Sequence, residues 1–150
     1  MLHDAGLSFF HFTFAFVLAG ALSAEAFVLR LPVDARVARL LLRIDLFYGV
    51  SAVGLILVGM SRVLWGAKGW EYYSAQPFFW IKIAAFALIG LISIMPTLAY
   101  FRWVKAASAA PTSIVAETDV KNVRRWVVAE VHLLVLVLAF AALMARGFGS

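Results

Sequence analysis

The sequence predicts an all-α fold, an integral membrane four-helix bundle in a single domain, and three observations carry that prediction. Of its 150 residues 65% are hydrophobic and only 14% are charged, against about a quarter charged in an average soluble domain. The apolar residues gather into four runs, each close to the roughly 20 residues that an α-helix needs to cross the hydrocarbon core. Between the runs stand short connections rich in basic and aromatic residues.

The runs extend from about Leu7 to Leu29, Ile44 to Trp65, Pro77 to Phe101 and Trp126 to Ala145. All four are expected to be helices, because backbone amides in lipid must find their partners within the segment. The first contains "ALSAEA", which resembles a cleavage site for secretion. Its length, and a flank of His3 and Asp4 without Lys or Arg, favour an uncleaved helix instead. Along the second, Gly49, Gly54 and Gly59 offer small surfaces for close helix approach, as Gly20 and Ala24 do on the first. Such surfaces serve packing within the bundle or a homo-oligomer. The third contains Pro96, expected to bend it, with Ser93 or Thr97 available to a freed backbone group. Before the fourth comes the one polar linker of any length, "KAASAAPTSIVAETDVKNVRR".

Basic residues give the expected orientation. Arg30, Arg36, Arg39, Arg43, Arg102, Lys105, Lys121, Arg124 and Arg125, nine in all, fall on one side, and Arg62, Lys68 and Arg146 on the other. By the positive-inside rule the nine-charge side is cytoplasmic and both termini face outward, periplasmic in a bacterial inner membrane. The net charge of +5 is therefore explained by the lipid bilayer as partner, and nucleic acid is not expected. Trp65, Trp70, Tyr72 and Tyr73 on the outer side, with Trp103 and Trp126 on the inner, read as interface anchors. The absence of cysteine excludes disulfides, thiolate metal sites and a Cys nucleophile. Neither a Gly-rich phosphate loop nor a His pair at i, i+4 is present.

Topology then assigns each intramembrane polar residue a depth. His11, Met60, Arg62 and Lys82 fall in an outer layer, and Glu25, Asp45, Glu130 and His132 in an inner one. His11 and Glu25, 14 residues apart, project from nearly one helix face. That face should point into the bundle, since ionisable groups within a membrane rarely face lipid. In a structural reading of the inner layer, Glu25 or Asp45 pairs with Arg30, Arg43 or Arg124, and His132 with a carboxylate. In a functional one the same groups form a proton path or bind a polar headgroup.

For the outer layer the question is haem, whose usual protein ligand is histidine, with Met also known. His11 and His132 lie at opposite faces, at least roughly 15 Å apart along the normal by helix rise, which argues against one haem bridging them. His11 alone, or with Met60 or Lys82, remains as the metal ligand. Lys82, inside an apolar run where a charge costs several kcal/mol, stands at the depth where it would neutralise a buried acid group.

The stretch "RIDLFYGVSAVGLILVGMSRVLWGAKGWEYYSAQPFFWIKIAAFALIGLISIMPTLAYFRW", with its D-x(3)-G, G-x-x-R, K-G-x-x-Y-Y, F-W-x-K and S-x-x-P-T elements, resembles a family of bacterial inner-membrane proteins of unknown function. A more distant resemblance is to the HemJ-type protoporphyrinogen oxidases, four-helix membrane proteins that bind haem. His11, Gly20, Arg30 and Lys82 after Trp80 stand in places similar to that family's. Its further histidines are absent, Val28, Leu29 and "ALIGLIS" standing there instead. The resemblance implies haem b as cofactor and an electron-transfer partner. Two functions are therefore carried forward. The first is a haem-binding oxidoreductase in which His11 ligates iron, Lys82 and Arg62 hold the propionates or an anionic substrate, and Trp80 lines the pocket. The second is a non-catalytic accessory or scaffold membrane protein that oligomerises, its Lys82 reaching lipid phosphate. A small ion or solute carrier using Glu25 and Glu130 is a third reading, for which four short helices leave little room.

Overall fold

Four long helices and a short one make up the chain: α1 (Leu2–Val28), α2 (Ala35–Trp65), α3 (Gly69–Ser74), α4 (Pro77–Ala109) and α5 (Glu117–Ala145). The structure is a computed structural model describing residues 2–66, 69–110 and 112–146; Lys68, counted above on the less basic side, lies outside them. The fold is all-helical, 88% helix without strands among the described residues. The four long helices are each long and apolar enough to cross a membrane. They form a ring in which α1 packs on α2, α2 on α4, α4 on α5 and α5 back on α1. Across the diagonals, α1 and α4, and likewise α2 and α5, make no close backbone approach.

The backbone N–H of Val115 donates to the carbonyl of Val33 at 2.9 Å, tying the α4–α5 linker to the α1–α2 loop. Both connections therefore lie at one end of the bundle, with α3 at the other. All nine basic residues of the first group belong to the end held by this bond or to the last turns leading to it.

The helices run further than the apolar runs. α2 begins at Ala35 rather than Ile44, α4 continues to Ala109 past Phe101, and α5 begins at Glu117 rather than Trp126. These extensions of eight or nine residues add about 12–14 Å at 1.5 Å per residue. All point toward the basic end. Hydropathy misses them because they are amphipathic. In α2 the Asp34 carboxylate accepts from the amides of Arg36 and Val37 as N-cap. Ala35, Ala38 and Leu41 are buried there, while Arg36, Arg39 and Arg43 are exposed. In α5, Val120, Val123 and Val127 are buried, and the exposed Lys121 and Glu117 pair at 2.8 Å one turn apart. With Leu29, Val33 and Trp103 these residues form the basic end of a core that continues through Leu18, Leu22, Tyr100 and Leu134.

At the other end, α3 is a helix where the sequence reads as loop, begun by Gly69 at φ +69°, a left-handed value that glycine adopts without a Cβ penalty. Trp70 packs edge-on against Phe79 and Trp80, at 6.4 and 6.1 Å between ring centres, and Tyr73 packs on Phe79 at 5.7 Å. Of the residues expected as interface anchors, Trp70, Tyr72 and Tyr73 thus gather around the first turn of α4, Trp65 stays exposed, and Trp103 is buried in the core.

Two α2 glycines serve the α1–α2 contact. A Cβ at Gly54 would lie 2.7 Å from the Phe14 ring, and one at Gly59 would lie 3.7 Å from Cε1 of His11, whereas Gly20 and Gly49 face open space. Gly54→Leu is expected to destabilise the bundle by about 1–3 kcal/mol through overpacking, and Gly49→Leu to change it little. Denaturant titrations in detergent compare the two directly. Equal stabilities would mean that α1 and α2 do not meet at Gly54. In α4, Pro96 is buried and leaves the carbonyl one turn before it without a donor. That carbonyl belongs to Ile92, and neither expected donor serves it: Ser93 donates to the carbonyl of Gly90 at 2.9 Å and Thr97 to Asp45 of α2.

Candidate functional site

Two polar layers stand on facing helices, and they differ in charge. At the end near α3, His11 from α1, Arg62 from α2 and Lys82 from α4 come together. Both cations act electrostatically on the imidazole. The Nδ1 atom of His11 is buried and has no hydrogen-bond partner, and the missing side chain of Gly59 leaves space alongside it, a Cβ there lying 3.9 Å from Nδ1. Lys82 Nζ sits 5.6 Å above the centre of the Phe79 ring, where the electron-rich face offsets part of the cost of its partial burial. The remaining two expected members are not brought in. Met60 is 56% exposed and Trp80 50% exposed; the Trp80 indole donates to the carbonyl of Ser74 at 3.0 Å, fastening α4 to α3. Gly59, one position before Met60, is what faces His11.

The inner layer is acidic and buried. Glu25 of α1 is 2% exposed, Asp45 of α2 5% and Glu130 of α5 1%. Tyr100 of α4 donates to Glu25 Oε2 at 3.0 Å, Tyr48 of α2 to Glu130 Oε2 at 3.1 Å, and Thr97 of α4 to Asp45 Oδ1 at 2.9 Å. The second oxygens of Glu25 and Glu130, Oε1 in each, are buried with no hydrogen-bond partner. Asp45 and Glu130 both act on Glu25 as like charges, and Asp45 acts on Glu130. The arginines expected to neutralise this layer do not reach it. Arg30 lies over the Phe27 ring at 5.3 Å, Arg43 is exposed, and Arg124 acts on Glu117 instead. Nor does His132 join the carboxylates: it is exposed on the outside of α5, its Nδ1 2.7 Å from the carbonyl of Val128. A two-residue step turns a helix by about 200°, so with Glu130 facing inward His132 faces outward.

A groove of about 440 Å³ opens beside this layer between α2 and α4, lined by Leu46, Gly49, Val50 and Val53 with Asp45, Tyr48, Ser93 and Thr97 as its polar residues. A smaller one of about 250 Å³ lies at the basic end, lined by Asp34, Arg102, Trp103 and Asp119 among others.

Residues 3–149 match a family described as "Predicted membrane protein (DUF2214)". The chain belongs to that family. No curated protein and no solved structure matches it. Across the DUF2214 chain, the residues that sequence reasoning missed are the hydroxyl donors. Tyr48 and Tyr100 sit in apolar runs where tyrosine reads as packing, Thr97 reads as a donor to its own helix, and their spacing to the carboxylates, 52 to 82 residues, leaves no local trace. Two further buried polar atoms of this DUF2214 protein, Gln76 Oε1 and Trp103 Nε1, likewise lack hydrogen-bond partners. Gln76 is the N-cap residue of α4, before Pro77, and is buried at 3% exposure.

Proposed function

We propose that this DUF2214 protein is a haem-binding redox membrane protein, with His11 as ligand to the iron of haem b and Arg62 and Lys82 paired with its carboxylates. The observation that carries the reading is the meeting, from three helices, of one imidazole with an unpartnered buried nitrogen and two cations. Neither Met60 nor Trp80, both turned outward, belongs to the set. Haem b in that place would supply one-electron chemistry, its potential set by the axial ligand and the surroundings.

The chain's own residues divide the work of binding. Gly59 leaves room beside the imidazole. Arg62 offers a planar fork for a bidentate carboxylate contact, and Lys82 a compact charge on a flexible stem. Both are partly buried, and so attract an anion more strongly than cations in open water. The charge distribution supports a bacterial inner-membrane setting with the basic end cytoplasmic and this cluster toward the periplasm.

The test is an absorption spectrum of detergent-purified protein, air-oxidised and then dithionite-reduced. The expected result is a Soret band that moves on reduction in the wild type and is absent in His11→Ala, with weakened haem retention in Arg62→Ala and Lys82→Ala. A colourless wild type, expressed with haem supplied, overturns this reading. It would leave the accessory role, which has its own support: Gly49 and the apolar α2–α4 groove form an open face of the kind that receives another helix.

A further inference from the structure

The inner layer poses a separate problem, independent of haem. Carboxylates in the interior of a membrane bundle need a compensating positive charge, because an unpaired ion there costs several kcal/mol or more. The groups acting on Glu25 are Asp45 of α2, Tyr100 of α4 and Glu130 of α5; those on Glu130 are Tyr48 and Asp45 of α2; that on Asp45 is Thr97 of α4. Every helix packed around the layer is represented, and no Lys, Arg or His is among these groups.

A protein cation is thus absent from the electrostatics of the described layer, and geometry narrows the remaining choices. Among the described residues no three His, Asp or Glu stand together so as to hold a metal ion. What the layer presents instead is two carboxyl groups of nearly the same form. Each accepts one tyrosine hydroxyl through Oε2 and keeps a buried Oε1 with no hydrogen-bond partner. A lone buried oxygen is the atom on which a proton can reside without displacing any existing bond. Asp45 differs from the pair, because it also lines the groove between α2 and α4. It is the member of the layer with a route to the outside of the bundle.

We propose that Glu25, Asp45 and Glu130 form a proton-binding site at the centre of the bundle, with Glu25 and Glu130 storing protons and Asp45 exchanging them through the α2–α4 groove. Transfer involves protons only. An O–H bond breaks at one carboxyl and forms at the next, at Asp45 the proton passes to or from water entering the groove, and no oxidant or reductant is consumed. Tyr48 and Tyr100 remain donors, orienting Glu130 and Glu25 and keeping one oxygen of each free. Tyr48 itself lines the groove, so the donor to Glu130 borders the route from Asp45.

Infrared spectroscopy of the purified full-length protein reads this site directly, since a protonated carboxyl has a carbonyl stretch distinct from both carboxylate bands and shifts slightly in deuterated water. The expected result is such absorption persisting at neutral pH, divided between Glu25 and Glu130, each part lost in its own variant, Glu25→Gln or Glu130→Gln. Asp45→Asn should slow deuterium exchange of those bands at least tenfold without removing them. Asp119→Asn, exposed at the basic end, is the control and should change nothing. The wild-type spectrum decides even where a variant fails to fold. Carboxylate bands alone at neutral pH would overturn the proposal. So would a protonated band that sodium chloride abolishes and choline chloride does not, which would assign the site to a metal cation.

Discussion

Tyr48→Phe and Tyr100→Phe are each expected to destabilise the protein by about 1–3 kcal/mol, the cost of leaving a buried acceptor without its donor. Each removes one hydroxyl and keeps the ring, so packing is preserved and the loss reports the bond to Glu130 or Glu25. Hydrogen bonds between membrane helices are often weaker, because the separated helices also find partners. Here the acceptors are carboxyls at 1% and 2% exposure, which places the loss in the range for buried groups. The two bonds belong to one cluster, joined through Asp45. The double variant should therefore depart from the sum of the single losses by at least about 0.5 kcal/mol. Unfolding of the four proteins in mixed detergent micelles measures this. Additive losses would mean that the two pairs stand apart.

The second large effect is expected outside the apolar runs. Trp103 is 3% exposed at the basic end, among Leu29, Val33, Val120 and Val123. Where helices stand clear of hydrocarbon, the ordinary hydrophobic effect operates on their packing, whereas between helices in lipid it contributes little. Trp103→Ala is expected to cost about 3–5 kcal/mol, and Leu22→Ala, equally buried but deep in its apolar run, about 2 kcal/mol or less. Trp103→Phe should stay within about 1.5 kcal/mol of wild type, because the indole N–H it removes has no partner. The same unfolding titration ranks the three, and a larger loss for Leu22→Ala would place the basic end within the bilayer rather than beyond it.

The fold was legible because membrane insertion leaves a coarse signal. Four apolar runs, Pro77 opening one of them and basic connections between them are enough to set helix number and order. The ends of α2, α4 and α5 were not, since a hydropathy boundary marks where lipid contact stops rather than where a helix stops, and Arg36, Arg39 and Arg43 disguise the buried stripe of Ala35, Ala38 and Leu41. In the site, ionisable residues in apolar runs announce themselves: His11, Arg62 and Lys82 meet as their depths suggested, and Glu25, Asp45 and Glu130 do likewise. Depth alone does not give direction around the helix. Met60 and His132 share the right depth and face the wrong way, while Gly59 and Glu130, one and two positions earlier, face inward. The phase of the helix, 100° per residue, carried that information.

The hydrogen bonds of the acidic layer also say how the protein can be put together. Glu25–Tyr100, Asp45–Thr97 and Tyr48–Glu130 each join a residue of the α1–α2 hairpin to one of the α4–α5 hairpin, and two of them span the diagonals of the ring. In the folded bundle neither hairpin satisfies its own acids. The first half of the chain, once inserted, carries Glu25 and Asp45 into the membrane with their donors still to be synthesised. The three bonds therefore form only when both hairpins are in place, and the second hairpin brings Tyr100, Thr97 and Glu130 to partners that the first already holds.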